Sequence, residues 1–184
     1  DTSGIMVVAK HVAAQEELAR QFKNRDVQKK YLALVYGDMQ PDSGEIKLPI
    51  GRHPVDRKRM STTTRKGRDA STLWKVQERL NGLTLLELNL KTGRTHQIRV
   101  HCSSIGHPLV GDPVYRPRKF LRSIDDILAS HPLAVIETVK STQRQMLHAR
   151  QLSLIHPQSG LKMTFESELP ADMEALIAKL RGEG

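Results

Sequence analysis

A chain of 184 residues is long enough for one domain with a proper core, and at 4% aromatic content aliphatic side chains must fill that core. With 29 Lys and Arg against 20 Asp and Glu, the formal charge is +9 and the pI about 9.9, which points to a polyanionic partner. No apolar run reaches the length of a membrane span and no amphipathic basic tail stands out, so nucleic acid is favoured over a membrane surface.

The one cysteine, Cys102, cannot form an internal disulfide and has no second thiol for a zinc pair, which fits a reducing, cytoplasmic compartment. Asp1-Thr2-Ser3-Gly4 runs straight into Ile5-Met6-Val7-Val8-Ala9 without the charged start and longer apolar run of a signal peptide. The first residues therefore read as starting inside a domain.

Ile5 to Ala9 is β-branched and apolar, which predicts a buried strand. From Val12 to Lys23 the pattern is helical, with Ala14, Leu18 and Phe22 on one face and Glu16 four residues before Arg20. Val27 to Tyr36 reads as a central strand covered on both sides: Lys29, Tyr31, Ala33 and Val35 line one face, Leu32, Leu34 and Tyr36 the other. After the turn from Gly37 to Gly44, Glu45 to Ile50 reads as a short strand.

A strongly basic loop follows, in which Arg52, Arg57, Lys58, Arg59, Arg65, Lys66 and Arg68 are opposed only by Asp56 before Asp69. Such a run is commonly just a solvated face. With Gly51, Pro54 and the Ser61-Thr62-Thr63-Thr64 run leaving no core-facing pattern, it could instead track a phosphate backbone.

Ala70 to Leu80 and Leu83 to Leu90 form a predicted hairpin around Asn81-Gly82. The second strand delivers the chain to Thr92-Gly93-Arg94-Thr95, where Gly93 is expected to turn sharply and Thr95 to cap a short helix with Ile98, Cys102 and Ile105 inward. Arg94 thus sits at a helix entrance, where the macrodipole is already positive, so an anion is expected beside it. A plain surface arginine is the ordinary alternative. Against that stands the crowding of Arg94, His96, Gln97, Arg99 and His101 into one junction.

Gly106 to Pro113 is an irregular loop, and Arg116 to about Ser130 a basic, then amphipathic, helical excursion. Leu133 to Ser141 carries no decisive pattern. Leu147 to His156 and Leu161 to Glu166 read as paired strands around Pro157 to Gly160, and a last helix begins at Pro170, buries Met173, Ile177 and Leu180, and stops at Gly182. Strands follow strands more often than they alternate with helices. The expected fold class is α+β, one domain over residues 1–184, with a largely antiparallel mixed sheet and flanking helices.

His96, His101 and His107 lie five and six apart, which matches no helical zinc pair, so no metal is expected. The chain contains no Gly-x-Ser-x-Gly elbow, Gly-x-Gly-x-x-Gly or Walker loop. A cofactor-free site of side-chain acids, bases and a cation beside a basic surface remains.

The segment from Thr92-Gly93-Arg94-Thr95-His96-Gln97-Ile98-Arg99-Val100-His101 through Ile105-Gly106-His107-Pro108-Leu109-Val110-Gly111-Asp112-Pro113-Val114-Tyr115 resembles the signature of the RluA-type pseudouridine synthases. Gly51 to Met60, Lys29 to Gly37 and Leu147-His148-Ala149 resemble further blocks of that family in the same order. The resemblance implies the pseudouridine synthase catalytic fold and isomerisation of uridine to pseudouridine in structured RNA, most closely large-subunit ribosomal RNA, by a monomer. Transfer RNA is the alternative substrate, and an RNA-binding protein that keeps the fold without the chemistry the alternative function.

It also implies the roles of individual residues. Arg94 pairs with the catalytic aspartate; Tyr31 stacks on the uracil and takes the proton from carbon 5; Ile98 packs near the base with Lys29 beside it; the basic loop, His96 and Arg99 meet RNA. The base must be flipped out or single-stranded to reach such a pocket. The family's catalytic block places its nucleophilic aspartate two positions before Asp1, so Asp1 is not assigned that role. The residues given are then expected to be the later part of a catalytic domain, without its start or any N-terminal RNA-binding domain, and inactive in isolation.

Overall fold

The computed structural model describes residues 1–64, 66–117, 120 and 123–183. Its frame is a seven-stranded sheet in the order β1-β8-β2-β7-β6-β3, with β9 also paired to β8. The strands are β1 (Ser3–Gly4), β2 (Gln28–Tyr36), β3 (Ser43–Lys47), β6 (Ser71–Arg79), β7 (Leu83–Leu90), β8 (Leu147–Ile155) and β9 (Lys162–Glu166). Two-residue strands β4 (Gly51–Arg52) and β5 (Met60–Ser61) make a separate ribbon. β1 runs parallel to β8 and the other described pairings are antiparallel, which is the expected α+β class with a largely antiparallel sheet.

Helices cover both faces of the centre: α1 (Val12–Asn24), α2 (Gln97–Ser104), α3 (Ile124–Ile127), α4 (Leu133–Ser141) and α5 (Ala171–Arg181). Alternation along β2 splits its side chains as the sequence predicts. Leu34 and Tyr36 join Leu83, Leu85 and the buried faces of α3, α4 and α5. Ala33 and Val35 join Leu86, Leu88, Ile98 and Cys102 on the other side. Each fully buried aliphatic side chain contributes roughly 1.5–3 kcal/mol, so the two clusters clamp the end of β7 and the start of α2 against one rigid strand. Asn81 (φ 46°) and Gly82 (φ 95°) make the predicted tight turn; a Cβ on Gly82 would lie 2.1 Å from the Ile127 carbonyl oxygen.

Several local expectations change. Ile5 to Ala9 is extended but forms no strand: Ile5, Val7 and Ala9 pack inward while Met6 and Val8 are exposed, because after Ile5 the segment leaves the β8 ladder. In α1 the charge pair is Glu17 with Arg20, one turn apart on the same face, rather than Glu16 with Arg20, and Phe22 is only partly covered. The strand expected at Glu45 to Ile50 starts and ends earlier, at Ser43–Lys47.

The basic loop does have a core-facing part, since Ile50 and Ala70 at its base pack with Val100 and Tyr115, and Met60 leans on them. Leu133–Ser141 is a helix. In the excursion after Arg116, residues 118, 119, 121 and 122 lie outside the described residues, and α3 supplies a helical turn. The apolar face of β9 is exposed at Met163 and Phe165 despite its alternation, because none of the described core clusters packs on it. The last helix follows its prediction, with Met173, Ile177 and Leu180 buried and Gly182 left-handed at its end.

Candidate active site

The junction between β7 and α2 is built around Gln97, a buried amide on the first turn of α2. Its Oε1 accepts from the Arg94 backbone N–H (3.0 Å) and the Thr92 hydroxyl (2.7 Å), and its Nε2 donates to the Ser71 carbonyl and Thr72 Oγ1 (both 2.9 Å). Thr72 then donates to His101 Nδ1 (2.9 Å), and His101 Nε2 donates to the Leu48 carbonyl (2.9 Å), which can only accept. Every polar atom of this chain has a partner, so the turn holding Arg94 is tied to β6 and to the loop after β3.

Two details differ from the sequence reading. Thr95 does not cap α2. The N-cap is His96, with φ 56° and no side-chain cap bond, while Gly93 lacks a positive φ. Ile98 and Cys102 are buried as expected, but Ile105 keeps 37% of its surface exposed.

Arg94 is half-buried, and its Nε donates to the Asp69 carbonyl at 3.1 Å. Among the described residues no carboxylate lies within 4.0 Å of its guanidinium. It is a positioned cation facing a cleft of about 560 Å³ whose walls include Tyr31, Ile98, His96 and Leu147. Burial pushes the Tyr31 phenol above its usual value, so it is neutral at physiological pH and presents an aromatic face. Asp1 also lines the cleft.

Lys29 lies in an adjoining depression of about 240 Å³ that shares Tyr31 as its wall. Its Nζ is 5.2 Å from the centre of the Phe22 ring, and burial lowers its pKa. Five sequence-predicted residues, Tyr31, Arg94, His96, Ile98 and Arg99, thus line one cleft, with Lys29 next to it.

Arg99 borders the cleft, but its charge is already paired within the protein. It is buried against fully enclosed Asp112 in a two-pronged ion pair, with Nε to Oδ2 at 2.7 Å and Nη2 to Oδ1 at 2.8 Å. Burial raises the Asp112 pKa, but Arg99 and the backbone amides of Tyr115 and Val114 outweigh it and hold the carboxyl below its usual value. Arg99 also lies over the Tyr115 ring, 4.9 Å from its centre, so its charge is spent on fixing the loop after α2.

Arg59 is similarly diverted: half-buried, it lies 5.5 Å from the Tyr115 ring centre. Arg52, Arg57, Lys58, Lys66 and Arg68 are exposed around the β4–β5 ribbon, and Arg65 lies outside the described residues. Gln97 and His101 stood in the crowded junction and Asp112 and Tyr115 in the motif, but their roles in building the site were not legible, because Ser71, Thr72, Leu48 and Met60 reach them from distant segments. The one available signal was a polar Gln beside Ile98 on a short inward-facing helix.

Among the described residues no group of three or more His, Cys, Asp or Glu is arranged to hold a metal ion, and no helix is long and apolar enough to cross a membrane. A family profile described as RNA pseudouridylate synthase matches residues 1–104. The chain is 48% identical, over 98% of its length, to the ribosomal large subunit pseudouridine synthase D of Nitrosomonas europaea, of which it covers 49%. It is 42% identical, over its whole length, to the protein of the same name from Escherichia coli strain K12, covering 54%. The chain therefore spans about half the length of the curated relatives it matches.

The fold is similar to that of human RNA pseudouridylate synthase domain containing 1, with a TM-score of 0.68 and 29% identity over 95% of this chain and 74% of that one. With the profile match spanning more than half of the chain and the motif residues gathered around one cleft, this chain belongs to the RNA pseudouridylate synthase family, in its RluA-type group.

Proposed function

We propose that the protein isomerises uridine to pseudouridine in structured RNA, with large-subunit ribosomal RNA as the substrate, and that it works as a cytoplasmic monomer. The observation that carries this is Arg94: a cation held by Gln97 and the Asp69 carbonyl, without a carboxylate among the described residues, in the same cleft as an aromatic and an apolar side chain. A base flipped out of its stack has there a face to lie on, at Tyr31, and an apolar neighbour, at Ile98. The relatives that carry the name ribosomal large subunit pseudouridine synthase D support ribosomal RNA as the class.

The bond between ribose and uracil N1 breaks, the base turns, and a bond to carbon 5 replaces it while a proton leaves that carbon and N1 gains one. Arg94 keeps the nucleophilic aspartate, which the resemblance places two residues before Asp1, in its ionised form. Tyr31 holds the detached base against its ring during the turn, and its phenol can take the carbon 5 proton only after giving up its own, which N1 can receive. Exposed Arg52, Arg57, Lys58, Lys66 and Arg68 hold the surrounding phosphates.

The full-length protein, incubated with unmodified ribosomal RNA, is expected to form pseudouridine detectable by mass spectrometry after chemical tagging, and its Arg94→Ala variant to form none. Salt-sensitive binding of both ribosomal and transfer RNA without product would replace the synthase with an RNA-binding protein.

A further inference from the structure

Tyr115 is buried, yet its hydroxyl joins two functional regions. The Met60 amide, on β5 of the basic ribbon, donates to Tyr115 Oη at 2.9 Å, and His96 Nδ1 lies 2.8 Å from the same oxygen. An oxygen that receives the amide hydrogen still has its own proton to give, and His96 Nδ1 is the group in reach. That nitrogen is then the acceptor, which leaves the ring proton on Nε2.

His96 Nε2 has no partner among the described residues, and it is not among their sealed, unsatisfied atoms. The ring borders the cleft shared by Tyr31, Arg94 and Ile98. Its backbone adopts φ 56°, a left-handed conformation that is strained for a non-glycine residue, and the side chain does nothing to cap α2 in return. The strain places the imidazole between Tyr115 and the cleft, edge-on to the phenol ring at 5.5 Å and 73°. Burial first, then the Arg99 charge, lowers its pKa against a smaller opposing pull from Asp112, so the ring stays neutral.

We propose that His96 is a substrate-positioning donor, whose Nε2–H holds an acceptor oxygen of the nucleotide in the cleft, and that Tyr115 is the positioning residue that fixes its tautomer. The nucleotide's identity rests on the function proposed above; the donor's geometry does not. A neutral N–H suits the task. It can bond an uncharged oxygen without drawing the anion away from Arg94, as a second cation would. The acceptor is either a carbonyl of the base or an oxygen of the phosphate-ribose backbone, and both present the same chemistry to the imidazole. Because Met60 belongs to the ribbon that carries Arg57 and Lys58, the Tyr115 hydroxyl also ties this donor to the basic surface.

The test uses the full-length protein with a uridine-containing stem-loop RNA, and the same RNA with the target base removed. Nitrogen NMR of the imidazoles is expected to show His96 protonated at Nε2 alone, with that resonance shifted by the intact RNA. Loss of the shift with the abasic RNA assigns the bond to the base; retention assigns it to the backbone; either supports the donor. Tyr115→Phe, which keeps the ring packing, is expected to lose the tautomer preference and roughly tenfold in kcat/KM. His96→Phe is expected to lose at least as much, with partial recovery in His96→Gln, which retains an N–H.

An unchanged tautomer in Tyr115→Phe, no response of His96 to either RNA, or wild-type kcat/KM in His96→Phe overturns the assignment. The NMR readings require no turnover. A wild-type protein that makes no pseudouridine, while His96 responds to RNA and Tyr115→Phe abolishes the tautomer preference, refutes the synthase and leaves the donor standing.

Discussion

The Gln97 side chain binds the backbone N–H of Arg94 at 3.0 Å, so the orientation of the one cation without a carboxylate partner in the described cleft depends on a buried amide three residues further on. The same amide reaches β6 through Ser71 and Thr72, which makes the Arg94 turn an extension of the sheet rather than a free loop. Replacing it with Ala leaves the Arg94 amide and the Thr72 hydroxyl to find new partners. Gln97→Ala is expected to cost about 3 kcal/mol in urea unfolding and to slow pseudouridine formation in a way that Arg94 alone does not explain.

Arg94 itself is exposed enough to be removed at little structural cost. Arg94→Ala is expected to abolish turnover in the full-length protein while RNA affinity, measured by filter binding, stays within a few-fold of wild type. A parallel fall in both would mean that Arg94 grips the RNA backbone rather than the catalytic carboxylate.

The Arg99–Asp112 pair belongs to stability. Both partners are buried, and removing one strands the other's charge. Asp112→Ala is expected to destabilise by about 3–5 kcal/mol, read as a drop in Tm. Replacing the whole pair by Met and Leu should recover much of that loss, which a role in RNA contact would not predict.

Acid is expected to loosen this region. His96 and His101 both have lowered pKa values, in each case chiefly from burial. In the unfolded chain these rings take up protons near pH 6.5, whereas in the folded protein they resist until a lower pH. Below pH 6.5 the unfolded state binds more protons, so stability is full above that value and falls as pH drops through the folded pKa values. Urea midpoints measured from pH 7.5 to 5 should decline, and His101→Asn should flatten the decline if that ring is a major contributor.

Salt dependence separates the basic ribbon's exposed charges from its buried one. Neutralising Arg57 and Lys58 together is expected to reduce the slope of log affinity against log salt by about 0.7–0.9 per lost phosphate contact. Arg59→Met should change it little, because that side chain is half-buried against the Tyr115 ring. Equal effects of all three would return Arg59 to the RNA surface.

What was legible in the sequence was whatever repeats over a few residues. Alternation gave both faces of β2, Asn81-Gly82 gave the hairpin, and the spacing of Met173, Ile177 and Leu180 gave the last helix, because side-chain period follows directly from backbone geometry. The ordered motif around Arg94, with the separate Lys29 to Gly37 block, likewise identified the family and singled out Tyr31, Arg94 and Ile98, which line one cleft. Tertiary structure decided which charges are free. Arg94 and Arg99 lie five residues apart with the same chemistry, but only Arg99 meets Asp112, delivered by the loop that folds back after α2. Tertiary structure also made Gln97, Tyr115 and His96 a framework, since Met60, Ser71 and Thr72 arrive from segments 25 to 55 residues away in sequence. A hydrogen-bond partner is chosen by proximity in space, and proximity of that kind has no period to be read.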